Sequence, residues 1–315
     1  MRSELGQWDG PTALVFPGQG AHGPEMLEPF REAPSFSGRY AQVCGLLGGD
    51  PLRMAAEDPP VLQRNAVSSL LTVLASVCAL ELFRAEHPAL PVAYAGYSVG
   101  QWTALHAAGR ISADDLFAVV AERARLMDAC LSAEAPSGML AVIGVREQDL
   151  ETVCDRIRLV GAPLVVANYN APGQFTVSGT EPALRAAEEQ LAPLQPKRVV
   201  RLAVAGAWHS PEMRPAVAGL ASLLREVRLQ PGTAPVVDNV SGEWLPDEPD
   251  ACRAVLARQV AEPVRWMQGV RAMAARGVTH VIEVGYGDVL TKFGFFVDRS
   301  LSHRAMAPSS PSRSR

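Results

Sequence analysis

The 315-residue sequence is poor in the features that would commit it to metal, nucleotide, nucleic-acid or membrane chemistry. Its five cysteines, Cys44, Cys78, Cys130, Cys154 and Cys252, are widely separated and form no CxxC pair, which argues against a disulfide framework and favours scattered core thiols in a reducing compartment. No HExxH and no dense His/Cys cluster proposes zinc, and the early glycines form neither GxGxxG nor a phosphate loop. A net charge of -4 with no basic block, and no basic stripe interleaved with aromatics, argues against nucleic acid. No uninterrupted apolar run approaches a bilayer span, since the mostly apolar stretch at 70–80 is short and contains Thr72 and Ser76. The opening residues also lack a secretory signal pattern. The expectation is a soluble, cytoplasmic protein with no nucleic-acid or membrane partner.

What is present suits a compact enzyme: 48% hydrophobic residues for a core and 20% charged residues for a surface, on a chain long enough for two domains or one with an insertion. TALVF at 12–16 reads as a short strand ending in the glycine-rich turn PGQG at 17–20, and residues 65–87 read as a long buried helix. PVAYA at 91–95, GYSVG at 96–100 and QWTALHAAG at 101–109 then make a strand, a sharp turn and a helix, the setting of a nucleophile elbow around Ser98. Glycines on both sides let the backbone turn and leave room for a substrate. This arrangement predicts an α/β protein with functional turns at strand ends.

Residues 111–130 read as a helix in which Asp114 and Asp115 favour the first turn. Arg123 falls among Val120, Leu126 and Met127, and its spacing alone predicts an exposed head whose stem covers apolar surface. Between 134 and 204 the texture changes to short β-permissive runs, GMLAVIGV, LVVANYNAPGQFTVSG and KRVVRLAV, separated by two amphipathic helices, as an inserted α/β subdomain would read. TAPVVDNVSG at 233–242 and THVIEVGYG at 279–287 resume the strand-to-turn pattern, and residues 307–315 read as a flexible tail.

Taken in order, GQG at 18–20, GYSVG at 96–100, Arg123 in ERARLM, NYNAPGQ at 168–174, GAWHS at 206–210, ARQVAEPVRW at 257–266 and EVGYGDVLTKF at 283–293 resemble the malonyl-CoA:acyl-carrier-protein transacylases. The resemblance implies an α/β-hydrolase-like large domain, residues 1–133 and 205–306, with a ferredoxin-like small domain inserted at 134–204. It also implies Ser98 as nucleophile, His209 as general base and acid, and the backbone carbonyl of Gln259 orienting the histidine without a catalytic Asp. The backbone N–H groups of Gln19 and Val99 would form the oxyanion site, and Arg123 would hold the free carboxylate of malonyl through paired, charge-assisted hydrogen bonds. Asn168, Trp208 and Tyr97 are implied near the active cleft, with turn formation or packing as sufficient explanations for the first two. Malonyl-CoA is the implied donor and the phosphopantetheine thiol of an acyl carrier protein the acceptor, with no permanently bound cofactor and no metal.

The sequence departs from the usual family pattern where Tyr97 replaces the common histidine, Gln101 the common glutamate, and Tyr286 and Asp288 the proline and lysine of an EVGPGK-like segment. Tyrosine-bearing elbows resemble transferases of malonate decarboxylation. Other readings left open are transfer of a substituted malonyl or other acyl unit in polyketide synthesis, an editing hydrolase and an inactive carrier-binding subunit.

Overall fold

A computed structural model describes residues 10–20, 23–89 and 91–307. Among them run eight strands: β1 Thr12–Phe16, β2 Ala93–Gly96, β3 Ser137–Ile143, β4 Leu164–Ala171, β5 Gln174–Thr180, β6 Arg198–Arg201, β7 His280–Tyr286 and β8 Ser302–Ala307. They form two sheets, as an α/β chain with a change of texture in its middle requires.

The first sheet is parallel, in the order β2-β1-β7-β8. All five residues of β1 are buried, which is why TALVF is continuously apolar after its threonine instead of alternating. Because these strands are parallel, the turns following β1, β2 and β7 emerge at the same carboxyl edge. PGQG, the residues around Ser98 and the Gly287–Asp288 turn therefore converge.

The Asn65–Glu86 helix packs on β7 and on the Ala113–Asp128 helix. It is apolar on nearly every face, and it is long and apolar enough by length and composition to cross a membrane, contrary to the expectation from the 70–80 stretch. Here 83% of its most apolar window is buried in the protein, so the helix is the core element around which the parallel sheet packs. Each fully buried Leu or Val on it, such as Leu70, Leu71, Val73 and Leu74, contributes on the order of 1.5–3 kcal/mol relative to exposure.

The second sheet is antiparallel, in the order β4-β5-β3-β6. Its chain path is strand-helix-strand-strand-helix-strand, the helices being Glu147–Leu159 and Glu181–Leu191. It has its own core of Leu140, Val142, Ile157, Phe175, Val177 and Leu184. The single run LVVANYNAPGQFTVSG resolves into β4 and β5, folded back at Pro172–Gly173 with Gly173 at a φ of 72°. β6 is shorter than KRVVRLAV suggested. β8 was not anticipated: Ala307, expected to begin the tail, closes that strand, while 308–315 lie outside the described residues. Its mixed sequence SHRAMA carries no alternation by which it could be recognised.

Candidate active site

Ser98 leaves β2 with a φ of 52°, in the left-handed region that a residue with a Cβ occupies only when its surroundings hold it there. The flanking glycines are sterically compulsory. A Cβ on Gly96 would overlap the Gly100 carbonyl, and one on Gly100 would overlap the carbonyl of Phe16 on the neighbouring strand. The backbone is braced on both sides of the serine. Ser98 N–H donates to Asn239 Oδ1 at 2.8 Å, Asn239 Nδ2 donates to the Gly96 carbonyl at 2.6 Å, and Gln259 Nε2 donates to the Ser98 carbonyl at 2.7 Å. The Gly100–Ala107 helix starts directly behind, with Val99 as its N-cap, so the Val99 N–H lies at a helix N-terminus.

His209 approaches from the GAWHS turn, itself at a φ of 58°, with Nε2 2.7 Å from Ser98 Oγ. On the far side of the ring, Nδ1 lies 2.9 Å from the Gln259 carbonyl and 3.2 Å from the Glu262 carbonyl. Both are pure acceptors, so Nδ1 carries the proton and Nε2 offers its lone pair to the serine hydroxyl. Burial, then the nearby Arg123 cation, pull the histidine down to about 4. It is therefore neutral at physiological pH, the form in which it can accept a proton.

Arg123 is 1% exposed, which corrects the expectation of a solvent-facing head. It belongs to the buried stripe Leu116, Val120, Arg123, Met127 of its helix, at spacings of four, three and four. Periodicity identified a packed face but not the functional cleft on which that face lies. Nη2 of Arg123 lies 3.3 Å from Ser98 Oγ, and Nε lies 3.3 Å from Gln259 Oε1. No carboxylate is in contact with it among the described residues, and burial alone pulls the guanidinium down to about 10, leaving it charged at neutral pH. A buried cation without a counter-charge is a receptor for an anion.

The remaining expected residues are distributed unevenly. Gln19 sits in the turn after β1, its side chain pinned to the Asn65–Glu86 helix by contacts of 2.8 Å to Asn65 Oδ1 and 2.7 Å to Ser68 Oγ, which fixes the loop. Gln19 and Tyr97 line a cavity of about 250 Å³ whose other walls include Met26, Asn170, Leu202 and Phe293; Ser98 follows Tyr97 in the chain, and neither it nor its partners Arg123 and His209 line the cavity. A wider depression of about 560 Å³ between Trp244 and Arg276 holds none of the expected site residues. Tyr97 donates from its hydroxyl to Asn170 Oδ1 at 2.7 Å, joining the parallel sheet to β4.

Asn168 lies instead at a bulge of β4 and bridges by its backbone to Val264; its neighbour two positions on, Asn170, is the asparagine that reaches the cavity. NYNAPGQ contains both, and only the register distinguishes them. The Trp208 indole is packed in the main core, where Gly206 leaves room for its ring. Asn239 was missed altogether. Its only signal was its place in a strand-to-turn segment, DNVSG, whose Asp238 binds the N–H groups of Val240 and Ser241. No group of three or more His, Cys, Asp or Glu is placed to hold a metal ion among the described residues.

The acyl transferase domain family matches residues 60–295. The malonyl CoA-acyl carrier protein transacylase of Bacillus subtilis (strain 168) is 31% identical over 303 residues, covering 95% of this chain and 93% of that protein. The crystal structure of the acyl-carrier-protein S-malonyltransferase from Burkholderia pseudomallei 1710b superposes with a TM-score of 0.87 at 30% identity, over 95% of this chain and 97% of that one. A malonyl-transacylase in complex with its type II polyketide synthase acyl-carrier protein gives the same TM-score of 0.87 at 28% identity, over 95% of this chain and 96% of that one. With a serine-histidine pair at its strand edge and relatives similar along nearly its full length, the chain belongs to the malonyl-CoA:acyl-carrier-protein transacylase family of acyltransferase enzymes.

Proposed function

We propose that the protein transfers malonyl from malonyl-CoA to the phosphopantetheine thiol of an acyl carrier protein through a malonyl ester on Ser98. The observation that carries this reading is the buried, uncompensated Arg123 guanidinium 3.3 Å from Ser98 Oγ. A dicarboxylic acyl group brings the missing negative charge, whereas a simple acetyl group does not.

In the first half-reaction Ser98 Oγ attacks the thioester carbonyl as its proton passes to His209 Nε2, already 2.7 Å away. The Gln259 and Glu262 carbonyls hold the opposite N–H and stabilise the imidazolium, the task a carboxylate performs in a triad. The N–H groups of Gln19 and Val99 face the developing oxyanion in this reading, stabilising the tetrahedral state more than the resting carbonyl. Collapse breaks the C–S bond, and His209 returns its proton to the departing coenzyme A sulfur. In the second half the carrier thiol gives its proton to His209 and attacks the ester, and Ser98 departs with that proton.

The strand-helix-strand-strand-helix-strand sheet supports reading 134–204 as a ferredoxin-like insertion in a catalytic domain of 1–133 and 205–306, the α/β-hydrolase-like part. The enzyme then works in the cytoplasm on diffusible partners and needs no bound cofactor. Similarity to the transacylase complexed with a polyketide carrier favours polyketide assembly as a second destination for the malonyl group, beside fatty-acid synthesis.

Incubating the protein with malonyl-CoA and a phosphopantetheinylated carrier, and measuring the carrier's intact mass, tests the reading. A malonyl mass gain absent with Ser98→Ala is expected, with malonyl preference over acetyl lost in Arg123→Ala. Free malonate without carrier loading would establish hydrolysis in its place.

A further inference from the structure

Ser98 and His209 both hold their backbones at positive φ, 52° and 58°, and they come from turns 111 positions apart in the chain. Such conformations persist only where the surrounding structure over-determines them, and neither turn can by itself fix the gap between the two side chains. On the serine side, part of the support comes from the Asn239 and Gln259 side chains. The antiparallel sheet supplies more, on both sides.

At three points that sheet meets a residue one or two positions from a group of the pair. On β4, Asn170 Oδ1 accepts from the Tyr97 hydroxyl at 2.7 Å, and Tyr97 immediately precedes Ser98. On β5, the Ser178 hydroxyl donates to the Trp208 carbonyl at 2.8 Å, and Trp208 immediately precedes His209. The Ala167 carbonyl of β4 accepts from the Val264 N–H at 2.8 Å, two residues beyond Glu262, whose own carbonyl lies 3.2 Å from His209 Nδ1.

The two side chains stand on firm support. β5 is an inner strand, paired with β4 on one side and β3 on the other, and Asn170 Nδ2 reaches it through Thr176 Oγ1 at 3.4 Å. Ser178 is 0% exposed and Asn170 5%. A hydroxyl enclosed on an inner strand costs free energy unless it is hydrogen-bonded, and the bond that Ser178 makes leaves its own sheet for the loop carrying the base.

We propose that Ser178 and Asn170 are positioning residues for the base and the nucleophile. Ser178 fixes the histidine side through Trp208, Asn170 fixes the serine side through Tyr97, and together they hold the 2.7 Å approach of His209 Nε2 to Ser98 Oγ. Proton transfer between the two requires that close approach, so a small displacement costs rate without costing substrate affinity. This rests on the reading that Ser98 and His209 perform the chemistry.

The test uses Ser178→Ala and Tyr97→Phe, each of which deletes one oxygen and no carbon. Tyr169→Phe is the control, since it removes a hydroxyl bond of the same sheet to Glu151, at 2.9 Å, away from the pair. Two reactions of Ser98 are followed by intact mass: single-turnover malonylation by malonyl-CoA, and sulfonylation by phenylmethanesulfonyl fluoride, which needs neither a carboxylate clamp nor a carrier. In Ser178→Ala and Tyr97→Phe both maximal rates should fall about fivefold to tenfold, with half-saturation by malonyl-CoA within about twofold of the parent. Tyr169→Phe should match the parent. Rates within twofold of the parent, beside a lowered urea midpoint, would overturn the proposal and leave both contacts as ties of the fold. Unchanged sulfonylation with weaker malonyl-CoA saturation would also overturn it, assigning the contacts to the substrate cleft. If Ser178→Ala does not fold, Tyr97→Phe decides among the same outcomes. A parent whose Ser98 resists sulfonylation removes the catalytic pair and this inference together, whereas a parent that is sulfonylated yet loads no carrier removes only the transfer reading.

Discussion

Gln259 holds both members of the pair at once: its side-chain Nε2 donates to the Ser98 carbonyl at 2.7 Å while its backbone oxygen accepts from His209 Nδ1 at 2.9 Å. The two functions are separable because substitution removes only the first. Gln259→Ala keeps the carbonyl that fixes the imidazole tautomer and loses the brace on the strained elbow, together with the 3.3 Å contact to Arg123. Loss of one such buried hydrogen bond is worth about 1–1.5 kcal/mol, so kcat should fall roughly tenfold. Ser98→Ala and His209→Ala should fall by a thousandfold or more. Single-turnover malonylation of the three variants checks the order, and a Gln259→Ala defect as deep as His209→Ala would show that the side chain, not the carbonyl, orients the base.

The pH profile follows from His209. Its value is pulled down to about 4, first by burial and then by the Arg123 charge, so the reactive neutral form persists well below pH 6. The acid limb of kcat/KM should accordingly lie below the ordinary histidine value of about 6.5. Arg123→Gln removes only the second cause. In that variant the limb should move up, toward but not reaching the ordinary value, when followed with a neutral acyl thioester that does not need the arginine. An unmoved limb would mean that the guanidinium charge is not felt at the imidazole. The same depression has a stability consequence. The folded state binds fewer protons than the unfolded state between about pH 6.5 and pH 4, so the contribution of this histidine is complete above that window and is lost as pH falls through it.

How much of this was legible in the sequence depended on the kind of interaction. The elbow was readable because steric necessity is local: Gly96 and Gly100 must be glycine for reasons that involve residues within the same few turns of chain and the adjacent strand. β1, β2 and β7 of the parallel sheet were readable as apolar runs ending in glycine turns, and the outer strand β8 was not. Asn239 was not, because its contact with Ser98 spans 141 positions and rests on an amide that an ordinary turn would also employ. Arg123 was visible only through resemblance, since a charge on a buried stripe looks the same to periodicity as one whose head escapes to solvent. The choice between Asn168 and Asn170 turned on a bulge in β4, which shifts the register by one residue and leaves no compositional trace.

Glu283 supplies a prediction independent of the reaction. It is fully buried in the middle of β7, and its two oxygens accept from Leu290 N at 3.2 Å, Thr291 N at 2.8 Å and Thr291 Oγ1 at 2.8 Å. The carboxyl thus ties β7 to the first turn of the Val289–Val297 helix, whose N–H groups have no partner within the helix. Burial pushes its pKa up, against the lowering effect of these hydrogen bonds. With the folded value above the unfolded one, the group's contribution to stability is complete below the unfolded carboxyl range and diminishes as pH rises through the folded value. Glu283→Ala should cost about 2–3 kcal/mol by leaving buried donors unsatisfied. Glu283→Gln should retain part of that stability and flatten its pH dependence, because the amide accepts a hydrogen bond without ionising. Urea denaturation of the three proteins between pH 5 and pH 8 measures both effects. Parallel pH profiles for the parent and Glu283→Gln would show that the carboxyl is not the titrating group.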